Sequence, residues 1–279
     1  MIKVVRKNSG QSLLIILLIM AVGLTIGLAV ISHSITDIGI SRQEEESARV
    51  FSVAEMGIEN ALVGGSFSGS SGGISYNVTY EGIGNKPEFV FPDKYEAGDI
   101  QTLWLVEHGS NDVLTEEGRF EGSSVDLYWG NENQEANQSN TPALEVTLVY
   151  KDGNKYKIKR GVFDPNASRR SQNNFDGADA SGPYLIGGEK FKFRKLGFEL
   201  AGIPYLLRLR FLYNDEEQVL GVAASDGSKN LPSQGTCYES TATDSQTGLT
   251  RKVRHCQLHK APPGIFDYAL YSEGDLKKD

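Results

Sequence analysis

The chain has no Asp, Glu, Lys or Arg between Lys7 and Asp37, although 23% of its 279 residues are charged. Within this uncharged gap, residues 13–31 are almost wholly aliphatic. A helix that crosses a bilayer needs roughly 20 apolar residues, and a helix satisfies its own backbone hydrogen bonds in hydrocarbon. The missing charges therefore exclude an ordinary surface helix here and predict one membrane-spanning helix near the start of the chain.

Cysteine is scarce, since only Cys237 and Cys256 occur. They form no C-x-x-C pair of the kind used in thiol redox catalysis, and a lone pair outside the cytoplasm favours a disulfide. Two alternating runs flank a turn within residues 235–258. A hairpin centred between Gln246 and Thr247 places the two cysteines opposite each other.

The same register has a consequence for charge. It places Glu239 opposite Arg254 and Thr241 opposite Lys252, so one alignment pairs both sulfur atoms and two opposite charges. The sequence therefore predicts a C-terminal disulfide hairpin.

Catalytic and metal-binding patterns are missing. There is no G-x-S-x-G, P-loop or H-E-x-x-H sequence and no convincing nucleophile–base pair. The segments 131–133 and 176–179 could offer oxygen ligands to Ca²⁺, but neither has the twelve-residue loop with its closing Glu, so we interpret both as turns. The four histidines show no metal-ligand spacing: His33, His108, His255 and His259. We expect no enzyme activity, no cofactor and no metal site.

The formal net charge is −8, so binding of nucleic acid through bulk charge is not expected. Basic residues nevertheless recur at every second position in several predicted strands. If these strands lay in one sheet, they would form a basic face able to meet phosphates or an anionic polymer. The more ordinary interpretation is a solvated face that protects sheet edges. The candidate residues are Lys155, Lys157 and Lys159; Lys190, Lys192 and Arg194; and, on further strands, Arg208, Arg210, Lys252 and Arg254.

Three interpretations compete for the N-terminus. A cleaved secretory signal needs a shorter apolar core and a small-residue cleavage site. A plain signal anchor would keep Lys3, Arg6 and Lys7 on the cytoplasmic side. We favour a third interpretation, a class III prepilin leader cut between Gly10 and Gln11, which leaves the apolar run on the mature protein.

The third interpretation depends on a resemblance. The stretches RKNSGQSLLIILLIMAVGLTIGLAVISHS and RVFSVAEMGIENAL resemble the N-terminal region of type IV pilin-like proteins, especially minor pilins of the PilX type and the large pseudopilin of type II secretion. The C-terminal PPGIFDYALYS is weakly similar to the ends of such minor pilins. The matching positions are Lys7 and Gly10 in the leader and Phe51, Ala54, Glu55, Gly57 and Glu59 in the helix.

Two positions depart from the family pattern. Most pilins begin the mature chain with Phe and carry Glu at its fifth position, whereas this chain has Gln11 and Ile15. In the family, that Glu is thought to pair with the N-terminal amine of a neighbouring subunit. Large tip-located pseudopilins also lack it, so the resemblance implies a minor or tip subunit.

The remaining chain predicts an α+β fold. The expected helix covers residues 11–62, transmembrane to about residue 35 and amphipathic over 37–62, and it ends at Gly64-Gly65. A β-rich, sandwich-like head is expected over residues 74–279, with a hairpin at Asp152-Gly153-Asn154 and a last strand over 266–272. The apolar face of the amphipathic part should contain Val50, Phe51, Ala54, Gly57, Ile58, Ala61 and Leu62.

These expectations give a functional hypothesis. The protein would be a non-enzymatic minor or tip subunit of a type IV pilus or pseudopilus, held in the inner membrane with an extracytoplasmic head until it assembles at the cell surface. Its partners would be other pilin-like subunits, the prepilin peptidase and the membrane, without specific nucleic acid. The alternative is a single-pass anchored β-domain adhesin that never polymerises.

Overall fold

The structure, a computed structural model, describes residues 11–109 and 113–264. It confirms the α+β class, with a long N-terminal helix followed by a mostly antiparallel β domain. The described chain forms two compact units. The first contains residues 11–79 and Glu239–Arg254, and the second contains Tyr80–Tyr238 and residues 255–264. This boundary lies inside the predicted head, residues 74–279. The leader residues and the predicted strand 266–272 lie outside the described residues.

The first unit begins with helix α1, Gln11–Gly64, two residues longer than predicted. Gly65 follows with a φ of 64°, a left-handed conformation that costs a residue without Cβ little. The N–H of Ser66 donates to the carbonyl of Asn60 at 3.2 Å and closes the end of the helix. This C-terminal cap explains why the Gly-Gly pair stops a helix of 54 residues.

The helix packs on part of a four-stranded sheet, which has the order β1-β2-β15-β16. Ile74, Tyr76 and Val78 are buried at alternate positions of β2, whereas Tyr80 on the same face is 65% exposed. The strands are β1 (Ser68–Ser71), β2 (Ile74–Ile83), β15 (Gly235–Asp244) and β16 (Thr250–Leu258).

The second unit is a β-sandwich of two five-stranded sheets, and a small two-stranded sheet accompanies it. One sheet has the order β10-β9-β8-β13-β4: β4 (Ile100–Trp104), β8 (Ala143–Asp152), β9 (Lys155–Asp164), β10 (Asp176–Gly177) and β13 (Ile203–Leu212). The other has the order β11-β12-β7-β14-β3: β3 (Glu88–Val90), β7 (Ser124–Asn131), β11 (Tyr184–Ile186), β12 (Glu189–Glu199) and β14 (Leu220–Ala224). The small sheet pairs β5 (Glu107–His108) with β6 (Leu114–Thr115).

The core of the sandwich is one cluster contributed by both sheets. Trp129 of β7 is fully buried in it, and its indole N–H donates to the carbonyl of Pro142 at 2.9 Å. Leu103 and Leu105 alternate along the chain with Trp104 and Val106, and all four are buried. A second cluster on the outer face of the sheet covers Trp104 and Val106.

The predicted hairpin at Asp152-Gly153-Asn154 is confirmed. Strands β8 and β9 pair in register from Asp152 with Lys155 onwards, which leaves a two-residue turn. Gly153 has a φ of 61° there. Such turns need left-handed residues, and glycine supplies one without steric strain.

One helix was missed. The Asn/Ser-rich composition of residues 165–183 favours an irregular connection, but α2 occupies Ala167–Asn173 within them. The side chain of Asn166 caps it by accepting from the N–H groups of Ser168 and Arg169, both at 3.1 Å. A helix of seven residues with no buried residue leaves no apolar period in the sequence.

Candidate functional site: the helix, its sheet and the basic strands

The apolar part of α1 has the properties of a membrane-crossing helix. By length and composition, α1 is the one helix among the described residues that could span a bilayer, and none of its apolar window is buried. Leu13, Leu18 and Ile31 are each more than half exposed. Their exposure to water would be costly, which is consistent with a lipid environment for this segment.

The other part of α1 packs on the sheet of the first unit. Val50 and Ala54 are completely buried, and Ile58 and Ala61 are nearly so. Asn60 donates from Nδ2 to the hydroxyl of Tyr76 on β2 at 2.8 Å. The apolar stripe predicted from the sequence is therefore the docking face of the helix.

The assignment of two residues of the predicted stripe to the contact face was wrong. Phe51 is 43% exposed and Leu62 is 38% exposed, whereas Val53, which was not predicted, is only 7% exposed. Phe51 lines an open groove with Ile40 of the same helix. The contact face of the helix is therefore shifted away from Phe51 and toward Val53.

Gly57 shows why small residues matter in this contact. A Cβ built on Gly57 would lie 2.9 Å from the ring of Tyr76 and closer still to Oγ of the buried Ser240. The helix can approach the sheet this closely only with a residue that lacks a side chain. The position that matches the pilin-like pattern thus has a packing role.

Two polar contacts also hold the helix to the hairpin of β15 and β16. Arg49 donates from Nη2 to Asp244 at 2.9 Å, and Arg251 donates from Nε to Oγ of Ser47 at 2.9 Å. The pKa of Asp244 lies below its ordinary value, chiefly because the backbone N–H of Gln246 donates to the carboxylate, with a further contribution from Arg49. Sequence reasoning missed these pairs, since the partners lie about 200 residues apart.

The structure forms the predicted disulfide between Cys237 and Cys256. The hydroxyls of Thr243 and Thr250 hydrogen-bond at 3.0 Å, which fits the predicted register. The charge pairing differs, however. Lys252 donates to Glu239 at 2.8 Å, so the ion pair runs diagonally across the strands instead of to Arg254.

The candidate basic residues do not share one sheet. Lys155, Lys157 and Lys159 belong to β9, whereas Lys190, Lys192 and Arg194 belong to β12 of the opposite sheet. The single-sheet basic face proposed from the sequence is therefore not formed by these two strands. Alternation gives the face of each strand but not the sheet to which the strand belongs.

Many of these cations have carboxylate partners. The ion pairs are Lys157–Asp152 at 2.6 Å, Lys159–Glu199 at 3.8 Å, Lys190–Glu132 at 3.0 Å, Arg194–Asp179 at 3.1 Å, Arg210–Glu145 at 3.7 Å and Lys252–Glu239 at 2.8 Å. Arg208 is buried, and its Nη1 donates to the carbonyl of Pro262 at 2.6 Å.

Cations from the two sheets do meet at one side of the sandwich. Nζ of Lys159 on β9 lies 5.5 Å from the ring centre of Phe198 on β12, and Nζ of Lys195 on β12 lies 5.1 Å from that of Phe163 on β9. In these reciprocal cation–π contacts, each lysine lies over a core aromatic ring of the opposite sheet. Only the stacking of the two sheets produces this arrangement.

The acidic turn segments have protein partners. Asp179 accepts from both the N–H and the hydroxyl of Ser181 and pairs with Arg194, and these interactions hold the pKa of its carboxyl well below the ordinary range. Glu132 is the partner of Lys190. Among the described residues, no group of three or more His, Cys, Asp or Glu has a metal-binding arrangement.

Comparison with known proteins returns no match. No protein-family model, curated protein or solved structure is detectably similar to this chain.

Proposed function

We propose that this protein is a non-enzymatic minor or tip subunit of a type IV pilus or related pseudopilus. The observation that carries the proposal is the division of α1 into two parts. The first is apolar and exposed, and the second is docked on a β-sheet through a small-residue face. A helix of this kind can be held by lipid before assembly and by neighbouring apolar helices afterwards, without any change in its own backbone.

Removal of the leader is the step between the helix held in the membrane and the helix packed in the fibre. Lys3, Arg6 and Lys7 hold the N-terminus at the inner face of the membrane. Cleavage between Gly10 and Gln11 by a prepilin peptidase on the cytoplasmic side removes all three cations. The helix can then leave the membrane without carrying these charges through hydrocarbon, where each costs several kcal/mol.

Ile15 argues for a minor or tip position. A carboxylate inside a bilayer needs a partner, and in pilin-like families the Glu at this position is thought to pair with the amine of the next subunit. With Ile15 this charge pair cannot form, so repeated incorporation along a shaft is disfavoured. Because Ile15 stands where the family has Glu, the second candidate is a single-pass anchored adhesin that does not polymerise.

The deciding experiment is N-terminal mass spectrometry of the protein expressed with and without a prepilin peptidase. We expect a mature chain that begins at Gln11 and is N-methylated only when the peptidase is present. Gly10→Val should block cleavage because the added side chain hinders an extended fit in the protease. Gly23→Val, which adds the same side chain within the apolar run, is the matched control and should still be cut.

Two results would count against the proposal. A chain that still starts at Met1 in peptidase-positive cells would exclude the pilin assignment and leave the anchored adhesin. A cleaved protein that is found only in the membrane of piliated cells, never in sheared fibres, would exclude incorporation into the fibre.

A further inference from the structure

The edge of β9 is open along most of its length. Strand β10 pairs with β9 only at Phe163 and Asp164, so within the described chain residues 155–162 have a strand partner only on the β8 side. An open edge presents backbone N–H and C=O groups to any strand that comes alongside.

The side chains of this edge carry an ordered pattern. Lys155, Lys157 and Lys159 share one face of the strand, and Tyr156, Ile158 and the exposed Arg160 share the other. Tyr156 is 64% exposed and Ile158 is 59% exposed. Tyr156 is held from behind by an edge-to-face contact with Tyr205, at 5.3 Å between ring centres.

Lys155 and Lys157 are the available cations of this edge, because Nζ of Lys159 also donates to the backbone carbonyl of Glu199 at 2.9 Å. Among the described residues, Lys155 forms no ion pair, while Lys157 and Lys159 pair with Asp152 and Glu199, whose side chains are 58% and 82% exposed. Exposed pairs of this type are weak and exchange readily with another carboxylate. The patch thus offers two readily available cations, Lys155 and Lys157, on a chain of net charge −8.

We propose that the open edge of β9 binds an acidic, extended segment of a partner protein, which adds as a further strand beside residues 155–162. The added strand would carry carboxylates at alternate positions opposite the lysine row. Its intervening positions would hold apolar or β-branched residues beside Tyr156 and Ile158. This inference is independent of how the N-terminus is processed.

The charge of the edge selects the occupant. Two copies of β9 meeting edge to edge would bring like charges together, and a neutral strand would gain no attraction from the lysine row. Nucleic acid would match the charge, but it offers no backbone partners to the strand edge and no strand side chains to pack on Ile158. An acidic strand supplies what the edge offers to bind: backbone groups for the open N–H and C=O groups, carboxylates for the lysines, and side chains that pack on Tyr156 and Ile158.

The test uses the full chain in detergent micelles and a fluorescent peptide of alternating Glu and Val. We expect saturable binding by anisotropy, and slowed hydrogen exchange confined to residues 155–162. A peptide of the same composition with all Glu preceding all Val should bind at least about tenfold more weakly, because it cannot present carboxylates at strand spacing.

Lys155→Glu combined with Lys157→Glu should weaken binding by about tenfold through the loss of two exposed charge contacts. Lys190→Glu combined with Lys229→Glu changes the net charge equally, at exposed ion-paired positions on other segments, and should leave affinity unchanged. Ile158→Thr, which keeps the charge and the strand propensity, should also weaken binding.

Four outcomes would overturn the proposal. The first is equal affinity for the two peptides. The second is binding without protection of the β9 amides. The third is tighter binding of duplex DNA than of the alternating peptide, which would make the edge a nucleic-acid contact. Complete absence of peptide binding would mean that the lysines serve only to protect the edge.

Discussion

At the residue scale, Asp164 is a buried charge of the second unit that several donors hold in place. Its side chain is fully buried at the end of β9. It accepts from Nε of Arg169 at 2.8 Å, from the N–H of Asn166 at 2.9 Å and from Nδ2 of Asn173 at 3.0 Å. Arg169 in turn stacks 3.9 Å above the ring of Tyr213. This network ties α2 to the strand and replaces the apolar packing that the short helix lacks.

These contacts predict an acid-sensitive fold. Burial raises the pKa of Asp164, but hydrogen bonds from Arg169, Asn166 and Asn173 outweigh burial, so the pKa lies below its ordinary value. Because the folded-state pKa is depressed, the stabilisation is complete above the unfolded-state pKa of about 3.9 and is lost as pH falls below it. The free energy of unfolding, measured by denaturant titration in micelles, should therefore decrease below about pH 4.

Asp164→Asn should lower that free energy by about 3 kcal/mol at neutral pH, because Arg169 loses its buried partner. The variant should also show a shallower loss of stability in acid. Asp152→Asn removes an exposed partner of Lys157 and should have a much smaller effect. Equal losses in the two variants would contradict the assignment of Asp164 as a buried anchor.

At the element scale, the contact between α1 and its sheet is decided by small side chains more than by large ones. The sequence indicates a stripe that contains Phe51, but Phe51 lies at the edge of the contact, and Val53 is buried in its place. Gly57 sets how closely the helix approaches. The hydrophobic pattern of the helix sequence is dominated by large residues such as Phe51. The packed interface depends instead on how closely Gly57 allows the helix to approach the sheet.

A matched pair of variants tests this interface. Val53→Ala should lower the free energy of unfolding by about 2 kcal/mol, because it removes buried methyl groups and leaves a gap. Phe51→Ala removes a larger side chain but should cost less than about 1 kcal/mol, because the ring is substantially exposed. The measurement is the denaturation midpoint of the full chain in micelles. A larger loss for Phe51→Ala than for Val53→Ala would show that the ring belongs to the core of the contact.

At the scale of the whole molecule, the chain combines a helix that has no charged residue before Asp37 with an acidic, β-rich remainder. The exposed apolar part of α1 is the only described segment that suits lipid, so attachment to a membrane should not depend on charge. The full chain should remain in the membrane pellet after a wash in about 1 M salt, which screens surface electrostatics over roughly 3 Å. Peripheral proteins of the same membranes, which the wash releases, are the control. Release of this protein by salt alone would exclude insertion of the helix.

Local patterns in the sequence were enough to predict the helix with its glycine stop, the alternating strands, the β8–β9 turn and the pairing of Cys237 with Cys256. Each of these depends on neighbours in the chain or on one short hairpin, so periodicity and turn chemistry determine it. Tertiary structure alone decided the rest. In the folded chain, β9 and β12 lie in opposite sheets, and one edge of β9 is open. Val53 rather than Phe51 is buried at the helix contact. Glu239 pairs with Lys252 instead of Arg254. These outcomes depend on which distant segments stack together and how closely they approach, and local alternation carries no information about either.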